Sequence, residues 1–407
     1  MVLPAAACSG PAHSGPARSR STSTSTGTGA TVAPPASSAT TSAPVRTPSP
    51  PSTADACASA PVTVSRHGPG ESVVLSGLDS PLALAWAPDG RLFFAERGGA
   101  IKIDGGGTVR TFATVSTVTT ELGGGYSERG LLGLALSPTF TADHHVFAMY
   151  STSDRRHTLI VRWTDCRGAA TDETTLLTLP AGPDCCHKGG RLAFGPDGEL
   201  YVTVGDEHSV PAPPAGPSPP VPQNTADVRG KILRYNVDGT VPGDNPFGPS
   251  DPVWAAGMRN PFGIAFGPDG TLFVTVNGPT GDAGSPPTGY DLAFDATAGQ
   301  VYQWPYCYGY SHPIAPYRDC GGRPAPAWSS ERQTTVPTGA TWVDRLGPAP
   351  MANHFVFCND EAGTLIYDPG PSRAAVTPGP AHCRLDVTQG PDHAVYYSDE
   401  TAIYRFG

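Results

Sequence analysis

One histidine and one aspartate of the sequence are spaced like the two parts of a general base. His187 stands in the segment Cys185–Leu192 at the start of an apolar stretch, and Asp206 follows Gly205 at the end of the next apolar stretch. If the two stretches pair as a β-hairpin, both side chains lie at the same end of it. A carboxylate beside an imidazole fixes its tautomer and raises its basicity. The pattern therefore predicts a base, and the alternative is a histidine that only caps a turn.

Polar residues occupy the same kind of position before two other apolar stretches. Glu128 precedes the stretch Leu131–Leu136, and Arg259 with Asn260 precedes Phe262–Phe266. The planar guanidinium of an arginine beside an amide can bind an oxyanion or a carboxylate. An arginine that is merely solvated is the commoner alternative.

A Gly-Pro pair suggests a cation site. Gly278 and Pro279 close the apolar stretch Leu272–Val276, and successive main-chain carbonyls in such an irregular segment suit a hard cation such as calcium. Gly-Pro is also ordinary turn material.

The elements that must position these residues recur along the chain as an apolar strand, a Pro-Asp-Gly turn and a second apolar strand. Proline fixes φ and glycine accepts positive φ, which is typical of a hairpin. The turns are Pro88–Gly90, Pro196–Gly198 and Pro268–Gly270, with looser forms at Ser137-Pro138 and Pro391-Asp392. The interval between the last two of these turns, from Pro268 to Pro391, is about twice as long as the intervals between the others. We therefore expect it to contain a further unit around Thr341–Tyr367. Six units predict an all-β, six-bladed β-propeller over residues 61–407. A β-sandwich or two separate sheets are the alternatives.

The first sixty residues have a different composition. Residues 1–60 are Ser, Thr, Ala and Pro with almost no large apolar side chain, so they predict a disordered low-complexity stalk. Cys8 follows small residues of the kind that precede a lipidated cysteine, which suggests a membrane lipid anchor; a start codon assigned too far downstream or a free thiol are the alternatives. The remaining eight cysteines are scattered and predict up to four disulfides. We therefore expect an exported protein, secreted or held at the cell surface.

The charge balance excludes one class of partner. The 36 acidic and 26 basic side chains give a formal net charge of -10, which repels a phosphate backbone. We expect no nucleic-acid partner.

Six sequence blocks resemble the soluble PQQ-dependent glucose and sorbosone dehydrogenases, also called aldose sugar dehydrogenases. The resemblance extends from about Leu75 to Phe406, nearly the whole predicted domain. The blocks, in chain order, are Glu128–Ala135, His187–Leu192, Gly230–Arg234, Asp244–Phe247, Arg259–Gly263 and Trp304–Gly309.

The resemblance implies a six-bladed propeller that oxidises a sugar at its anomeric carbon and passes a hydride to pyrroloquinoline quinone (PQQ), with an external acceptor taking the electrons. It implies His187 as the base, Asp206 as its orienting partner, and Arg259 with Asn260 at the quinone oxygens. Glu128 matches a residue that contacts substrate and cofactor, and Lys188 and Arg384 complete the predicted cofactor set. Calcium is expected at Gly278 and Pro279, and Asp291 matches an acidic residue that often holds a second calcium.

Two stretches depart from the family pattern. Family members meet the three PQQ carboxylates with a lysine in the fifth blade and two arginines in the last inter-blade loop. Here the first stretch, Cys358–Gly363, is acidic, and only Arg384 of the second remains, out of phase by one residue if Asp386 is the anchor. A propeller that binds glycans or a protein surface after losing the cofactor is therefore an alternative function. A calcium-dependent lactonase-type hydrolase is a third, for which the sequence offers few channel carboxylates.

The positions of the cysteines in the expected blades suggest bridges. Cys307 with Cys320, and Cys358 with Cys383, are expected to pair. Either Cys185 or Cys186 bridges to Cys166, or the two form a disulfide with each other. The sequence leaves the substrate sugar and the oligomeric state open.

Overall fold

The computed structural model describes residues 56–64, 69–209, 219–279, 289–361, 363–368 and 376–407. Cys8 and nearly all of the predicted stalk lie outside the described residues, as does most of the Pro-rich stretch 210–222. Among the described residues, no helix has the length and apolar character needed to cross a bilayer.

The described residues form six four-stranded antiparallel sheets and one two-stranded ribbon, which confirms the predicted all-β propeller. The first strand along the chain is β1 (Glu71–Ser76). Sheet 1 follows and contains β2 (Pro81–Trp86), β3 (Leu92–Glu96), β4 (Ala100–Asp104) and β5 (Val109–Thr114). Sheet 2 contains β6 (Leu131–Leu136), β7 (His145–Ser151), β8 (His157–Cys166) and β9 (Ala169–Pro180), with the short helix α1 (Phe140–Asp143) between β6 and β7. Sheet 3 contains β10 (Leu192–Phe194), β11 (Leu200–Val204), β12 (Lys231–Tyr235) and β13 (Val253–Ala256), with a 3-10 turn at Val221–Gln223.

The second half of the chain repeats this arrangement. Sheet 4 contains β14 (Asn260–Phe266), β15 (Leu272–Asn277), β16 (Leu292–Ala296) and β19 (Trp328–Ser329), and the ribbon of β17 (Cys307–Tyr308) and β18 (His312–Pro313) is inserted before its last strand. Sheet 5 contains β20 (Pro337–Val343), β21 (His354–Asn359), β22 (Thr364–Asp368) and β23 (Thr377–Ala381). Sheet 6 contains β24 (Val387–Gln389), β25 (Val395–Ser398) and β26 (Ala402–Phe406), completed by β1. The unit expected around Thr341–Tyr367 is therefore present as sheet 5.

The ring closes through its innermost strands and through the first strand of the domain. The innermost strands β2, β6, β10, β14, β20 and β24 each contact the next, and β24 contacts β2. β1 pairs with β26, from Glu71 opposite Phe406 to Ser76 opposite Ala402. The N-terminal strand is thus the outer strand of the last sheet, and the ring has no open seam between its first and last sheets.

The Pro-Asp-Gly turns all join an innermost strand to the second strand of its sheet. In the first of them Gly90 has φ of 88° and donates its N–H to the carbonyl of Ala87 at 2.9 Å, and this positive φ is what glycine accepts readily. These turns lie at one end of the sheets. Residues before an innermost strand or after a second strand therefore lie at the opposite end, which we call the site face.

Four disulfides connect the described cysteines. Cys307–Cys320 and Cys358–Cys383 are paired as predicted. The alternatives for the other cysteines resolve in favour of a bridge between the neighbours Cys185 and Cys186. Cys166 pairs with Cys57, a partner that the sequence reasoning did not consider.

Candidate functional site

His187 and Asp206 form a buried pair at the site face of sheet 3. β10 and β11 are antiparallel, and the two residues lie in the segments that lead into the first strand and out of the second. Nδ1 of His187 lies 2.5 Å from Oδ1 of Asp206, and the residues are 3% and 1% exposed. Trp304 donates its indole N–H to the other oxygen of Asp206 at 2.7 Å. The predicted hairpin neighbours are thus in contact, and the aspartate is held on both sides.

The electrostatics of this pair favour a neutral imidazole and a charged carboxylate. Burial lowers the pKa of His187, and the positive charge of Arg259 lowers it further, against the opposing effect of Asp206. Burial by itself raises the pKa of Asp206, but its contacts with His187, together with Arg259 and Trp304, bring that pKa below its ordinary value. A neutral imidazole that donates through Nδ1 has a free electron pair on Nε2, as a general base requires.

Arg259 and Asn260 lie on the same rim as His187. The N–H of Asp206 donates to the carbonyl of Arg259 at 2.7 Å, so the main chains of sheets 3 and 4 are joined beside His187. Asn260 accepts from the N–H of Gly189 at 3.0 Å and donates to the side chain of Asn277 at 3.1 Å. The guanidinium of Arg259 donates to the carbonyl of Asn277 at 3.3 Å. The predicted imidazole, guanidinium and amide therefore converge at one place.

Trp304 forms a wall that connects these groups. The guanidinium carbon of Arg259 lies 5.7 Å from the centre of its ring, a distance at which a cation is attracted to an aromatic face. A small cavity in sheet 4 is lined by Arg259, Gly278, Pro279, Gln303 and Trp304 together with Asn277, two tyrosines and apolar side chains. The Gly-Pro pair predicted to bind calcium thus lines the same cavity as the arginine.

Glu128 extends the cluster toward sheet 2. Its Oε2 lies 3.3 Å from the N–H of Lys188 and 3.4 Å from the amide nitrogen of Asn260. The ammonium of Lys188 points elsewhere, to Glu207 at 3.3 Å and to the carbonyl of Gly182 at 3.3 Å. Burial lowers the pKa of Lys188 and raises that of Glu207, because it penalises both charges. Lys188 as a cofactor ligand stays a prediction.

Asp291 has a full set of protein donors. It is 3% exposed. One oxygen accepts from the N–H of Gly278 at 2.7 Å. The other accepts from the N–H and hydroxyl of Thr335 at 2.8 and 3.1 Å and from the N–H of Val336 at 3.1 Å. Its role as a calcium ligand stays a prediction, and a cation here would have to compete with these donors.

Arg384 precedes β24 at the site face and is engaged by two acidic side chains. Its Nε lies 3.4 Å from Asp360 and 3.2 Å from Glu400. Burial raises the pKa of Asp360 to about 6, although Arg384 opposes the shift. The acidic stretch noted in the sequence therefore supplies a partner for the one basic residue that remains in this region.

A buried arginine supports the loop that carries His187. Arg191 is 5% exposed and donates to the main-chain carbonyls of Leu82, of Leu132 at 3.3 Å and of Leu385 at 2.8 Å. Its guanidinium also lies 3.5 Å from Asp386. These contacts tie sheet 3 to sheets 1, 2 and 6 around the axis of the ring.

Some site residues were not singled out by the sequence reasoning. Trp304 belongs to the block Trp304–Gly309, which carries part of the family resemblance, but no role was assigned to it. Its membership of that block is the feature that could have marked it as a site residue. His208 and Glu207 had no pattern to mark them. His187, Glu207 and His208 all have positive φ, of 55°, 53° and 52°. Such conformations are costly for residues other than glycine and cluster at functional sites, but they cannot be read from the residue types.

Comparisons with known proteins identify relatives of this chain. The family model for glucose/sorbosone dehydrogenase matches residues 78–352. Quinoprotein glucose dehydrogenase B of Acinetobacter calcoaceticus is 32% identical over 290 residues, which cover 63% of this chain and 58% of that protein. An aldose sugar dehydrogenase of Escherichia coli is 28% identical over 249 residues, which cover 57% of this chain and 61% of that protein. The chain thus spans about three fifths of the length of these two relatives.

A solved structure extends the similarity to the fold. An oxidoreductase from Thermus thermophilus, described as a glucose dehydrogenase, superimposes with a TM-score of 0.69 at 29% sequence identity, covering 83% of this chain and 99% of that one. Because the family model matches more than half of the chain, this protein belongs to the glucose/sorbosone dehydrogenase family.

Proposed function

We propose that this protein is a PQQ-dependent sugar dehydrogenase that oxidises an aldose at its anomeric carbon. The observation that carries the proposal is the buried His187–Asp206 pair, held by Trp304 and joined through the main chain to Arg259. This is a base with a fixed tautomer beside a cationic group that can stabilise a developing oxyanion.

Each residue has a role that follows from its contacts. His187 takes the proton of the anomeric hydroxyl on Nε2, because Nδ1 is committed to Asp206. Asp206 orients the ring and stabilises the positive charge that the ring gains. Arg259 and Asn260 would hold the quinone oxygens, which gain negative charge as the hydride leaves the sugar carbon. Glu128 borders the substrate from sheet 2. PQQ, when bound, supplies the quinone that accepts the hydride, and an external acceptor then removes the electrons.

The residues present fit one part of PQQ better than the other. At the reactive end, Arg259 and Trp304 line the cavity. His187 adjoins them through Asp206, and Asn260 adjoins them through the N–H of Gly189. At the end that would meet the carboxylates, Arg384 is paired with acids and Lys188 with Glu207. Each charge-assisted contact contributes about 1.5 to 3 kcal/mol. We therefore propose a PQQ affinity below that of members with the full basic set.

We include calcium in the same proposal, although the protein itself supplies few ligands for it. Gly278 and Pro279 line the cavity, and two main-chain carbonyls fall short of the six to eight oxygens that Ca²⁺ takes. Oxygens of the cofactor and of water would have to complete the shell. The proposed roles of His187, Asp206 and Arg259 do not depend on the ion.

Reconstitution tests the proposal. Purified protein is incubated with PQQ, with and without Ca²⁺, and the reduction of an electron-accepting dye is followed with a panel of aldoses. We expect aldose-dependent turnover that His187→Ala abolishes while PQQ binding persists. His145→Ala is the matched control, because His145 begins β7 at the end of sheet 2 away from the site face, and it should leave turnover unchanged.

One result would reject the enzyme, and a second would reject only the assignment of the base. Absence of any change in quinone absorbance at micromolar PQQ would remove the redox reading and favour the alternative, a propeller that binds glycans or a protein surface; a glycan array then tests that alternative. Full turnover by the His187→Ala variant would remove the base assignment alone.

We also propose that the protein works outside the cytoplasm. Four disulfides among the described residues support this, because disulfides persist in oxidising compartments. A lipid anchor on Cys8 is the further part of the proposal. Fractionation of cells that express the wild type and Cys8→Ser tests it: the wild type should sediment with membranes and the variant should not.

A further inference from the structure

Four side chains beside the catalytic histidine carry donor atoms that the proposed reaction does not use. Asp184, Cys185, Cys186 and His208 place one oxygen, two sulfurs and one nitrogen within 4.8 Å of one another. Nδ1 of His208 lies 3.1 Å from Oδ2 of Asp184, and the other oxygen of Asp184 accepts the N–H of Cys185 at 2.7 Å. Thiolate, imidazole and carboxylate together are the usual ligand types of zinc in proteins.

The spacing suits a tetrahedral ion. With metal bonds of about 2.0 Å to nitrogen and oxygen, two such ligands lie about 3.3 Å apart at tetrahedral angles. The 3.1 Å between His208 and Asp184 is close to this value. The sulfurs, at about 2.3 Å from an ion, would lie about 3.8 Å apart, which is a non-bonded separation. The site therefore requires that the bond between the two sulfurs be broken.

The Cys185–Cys186 bridge contributes little to global stability by the mechanism that explains most disulfides. A disulfide stabilises mainly by restricting the unfolded chain, and the restriction grows with the length of the closed loop. Here the sequence separation is 1, against 13, 25 and 109 for the other three bridges. Its opening should therefore leave the propeller folded and change only the segment that leads to His187.

The four donor atoms can also be reached from solvent. The cysteines are 3% and 7% exposed, but the side chains of His208 and Asp184 are 19% and 34% exposed. A small reductant or an ion can thus approach from the side of His208. The ring of His208 also touches the catalytic ring, with the two centres 3.9 Å apart.

We propose that reduction of Cys185–Cys186 creates a binding site for a zinc-class divalent ion, with Asp184, Cys185, Cys186 and His208 as ligands. A dithiol or phosphine reductant supplies two electrons, the sulfur–sulfur bond breaks, and two protons complete the thiols while the reductant is oxidised. Binding of the ion then releases the two thiol protons to solvent, because thiolates are the ligands. An ion bound here lies next to the base, so the redox state of the bridge controls the surroundings of His187.

Cobalt(II) is the probe, because its thiolate complexes absorb strongly in the near ultraviolet. Oxidised protein, and protein treated with a phosphine that is then removed anaerobically, are titrated with Co²⁺ in the absence of PQQ and sugar. We expect one equivalent of Co²⁺ and a thiolate charge-transfer band in the reduced protein only, with displacement of the band by Zn²⁺. Neither readout depends on the proposed dehydrogenase activity.

Two variants separate this site from the thiols that reduction frees elsewhere. Reduced Cys185→Ser/Cys186→Ser protein retains the other cysteines and should lose the band. Reduced His208→Gln protein retains both thiols and should bind Co²⁺ at least about tenfold more weakly, because losing only a hydrogen-bond partner of a metal ligand already costs about that much affinity. This variant also tests the site if circular dichroism shows that the double variant does not fold. Equal bands in the wild type and the double variant, unchanged affinity in His208→Gln, or no band in the reduced wild type would each overturn the proposal.

Discussion

Replacing Asp206 with asparagine tests the proposed base most directly. Asparagine keeps the size of the side chain but cannot accept hydrogen bonds on both sides, whereas Asp206 accepts from His187 and from Trp304 on its two oxygens. The variant leaves one of these donors facing an NH₂ group. Because the imidazole then loses its fixed tautomer and its charge partner, kcat/KM should fall by about 10²- to 10⁴-fold. That range corresponds to about 2.7 to 5.4 kcal/mol of transition-state stabilisation.

The pH dependence of the variant separates orientation from titration. Asp206 raises the pKa of His187, so its removal lowers that pKa further and leaves the imidazole neutral at pH 7. The loss of activity should therefore persist at alkaline pH. The assay is dye reduction at saturating sugar and PQQ, after the PQQ affinity of each variant has been measured separately.

A second buried aspartate provides the matched control. Asp165 is 0% exposed and pairs with Arg91 at 2.5 Å in the outer part of sheet 2. Asp165→Asn should lower the free energy of unfolding by about 1.5 to 3 kcal/mol, as Asp206→Asn should. Its turnover per folded molecule should stay unchanged. The reasoning fails if Asp206→Asn stays within tenfold of the wild type, or if Asp165→Asn loses turnover to the same degree.

Three further predictions concern pH, cofactor affinity and stability. Arg259→Met removes a charge that lowers the pKa of His187; because the reaction requires the neutral imidazole, the acidic limb of the kcat/KM profile should move to higher pH, which a pH-rate series measures. Burial raises the pKa of Asp360 to about 6, and its protonation removes one of the two acidic partners of Arg384 while Glu400 remains; PQQ should therefore bind more tightly as the pH falls through about 6, and fluorescence titration should find this dependence absent in Asp360→Asn. Removal of the Cys57–Cys166 bridge, which closes a loop over a separation of 109 residues, should cost about 4.7 kcal/mol in urea unfolding. An unshifted acidic limb, a pH-independent PQQ affinity in the wild type or a cost below about 2 kcal/mol would contradict the respective prediction.

Much of the fold was accessible from the sequence because its repeats carry local signals. The Pro-Asp-Gly turns mark the link between the first two strands of a sheet, and alternation of apolar residues marks the strands themselves. Sheet 5 lacks the turn, yet it was located from the interval between neighbouring repeats. The pairing of Cys57 with Cys166 was missed because Cys57 lies within residues 1–60, whose composition predicted a disordered stalk, and because its partner is distant along the chain, at the end of β8.

The site was predictable where chemistry depends on residue type and strand position. His187, Asp206 and Arg259 each flank a strand at the same end of a sheet, so their convergence follows from the architecture. The pairing of Arg384 with Asp360 and Glu400 does not follow in this way, since it depends on side-chain directions at the junction of two sheets. The same holds for the contact of His208 with His187, which arises from consecutive residues with left-handed backbone conformation.

The pairing of β1 with β26 has a consequence for the order of assembly. During synthesis the segment Glu71–Ser76 emerges among the first of the domain, while its partner Ala402–Phe406 is made last. While most of the domain is being made, the nascent chain therefore carries β1 without its partner, and the ring can close only once β26 has left the ribosome. A fragment trimmed to residues 78–352 would contain His187, Asp206 and Arg259 but neither of these two strands.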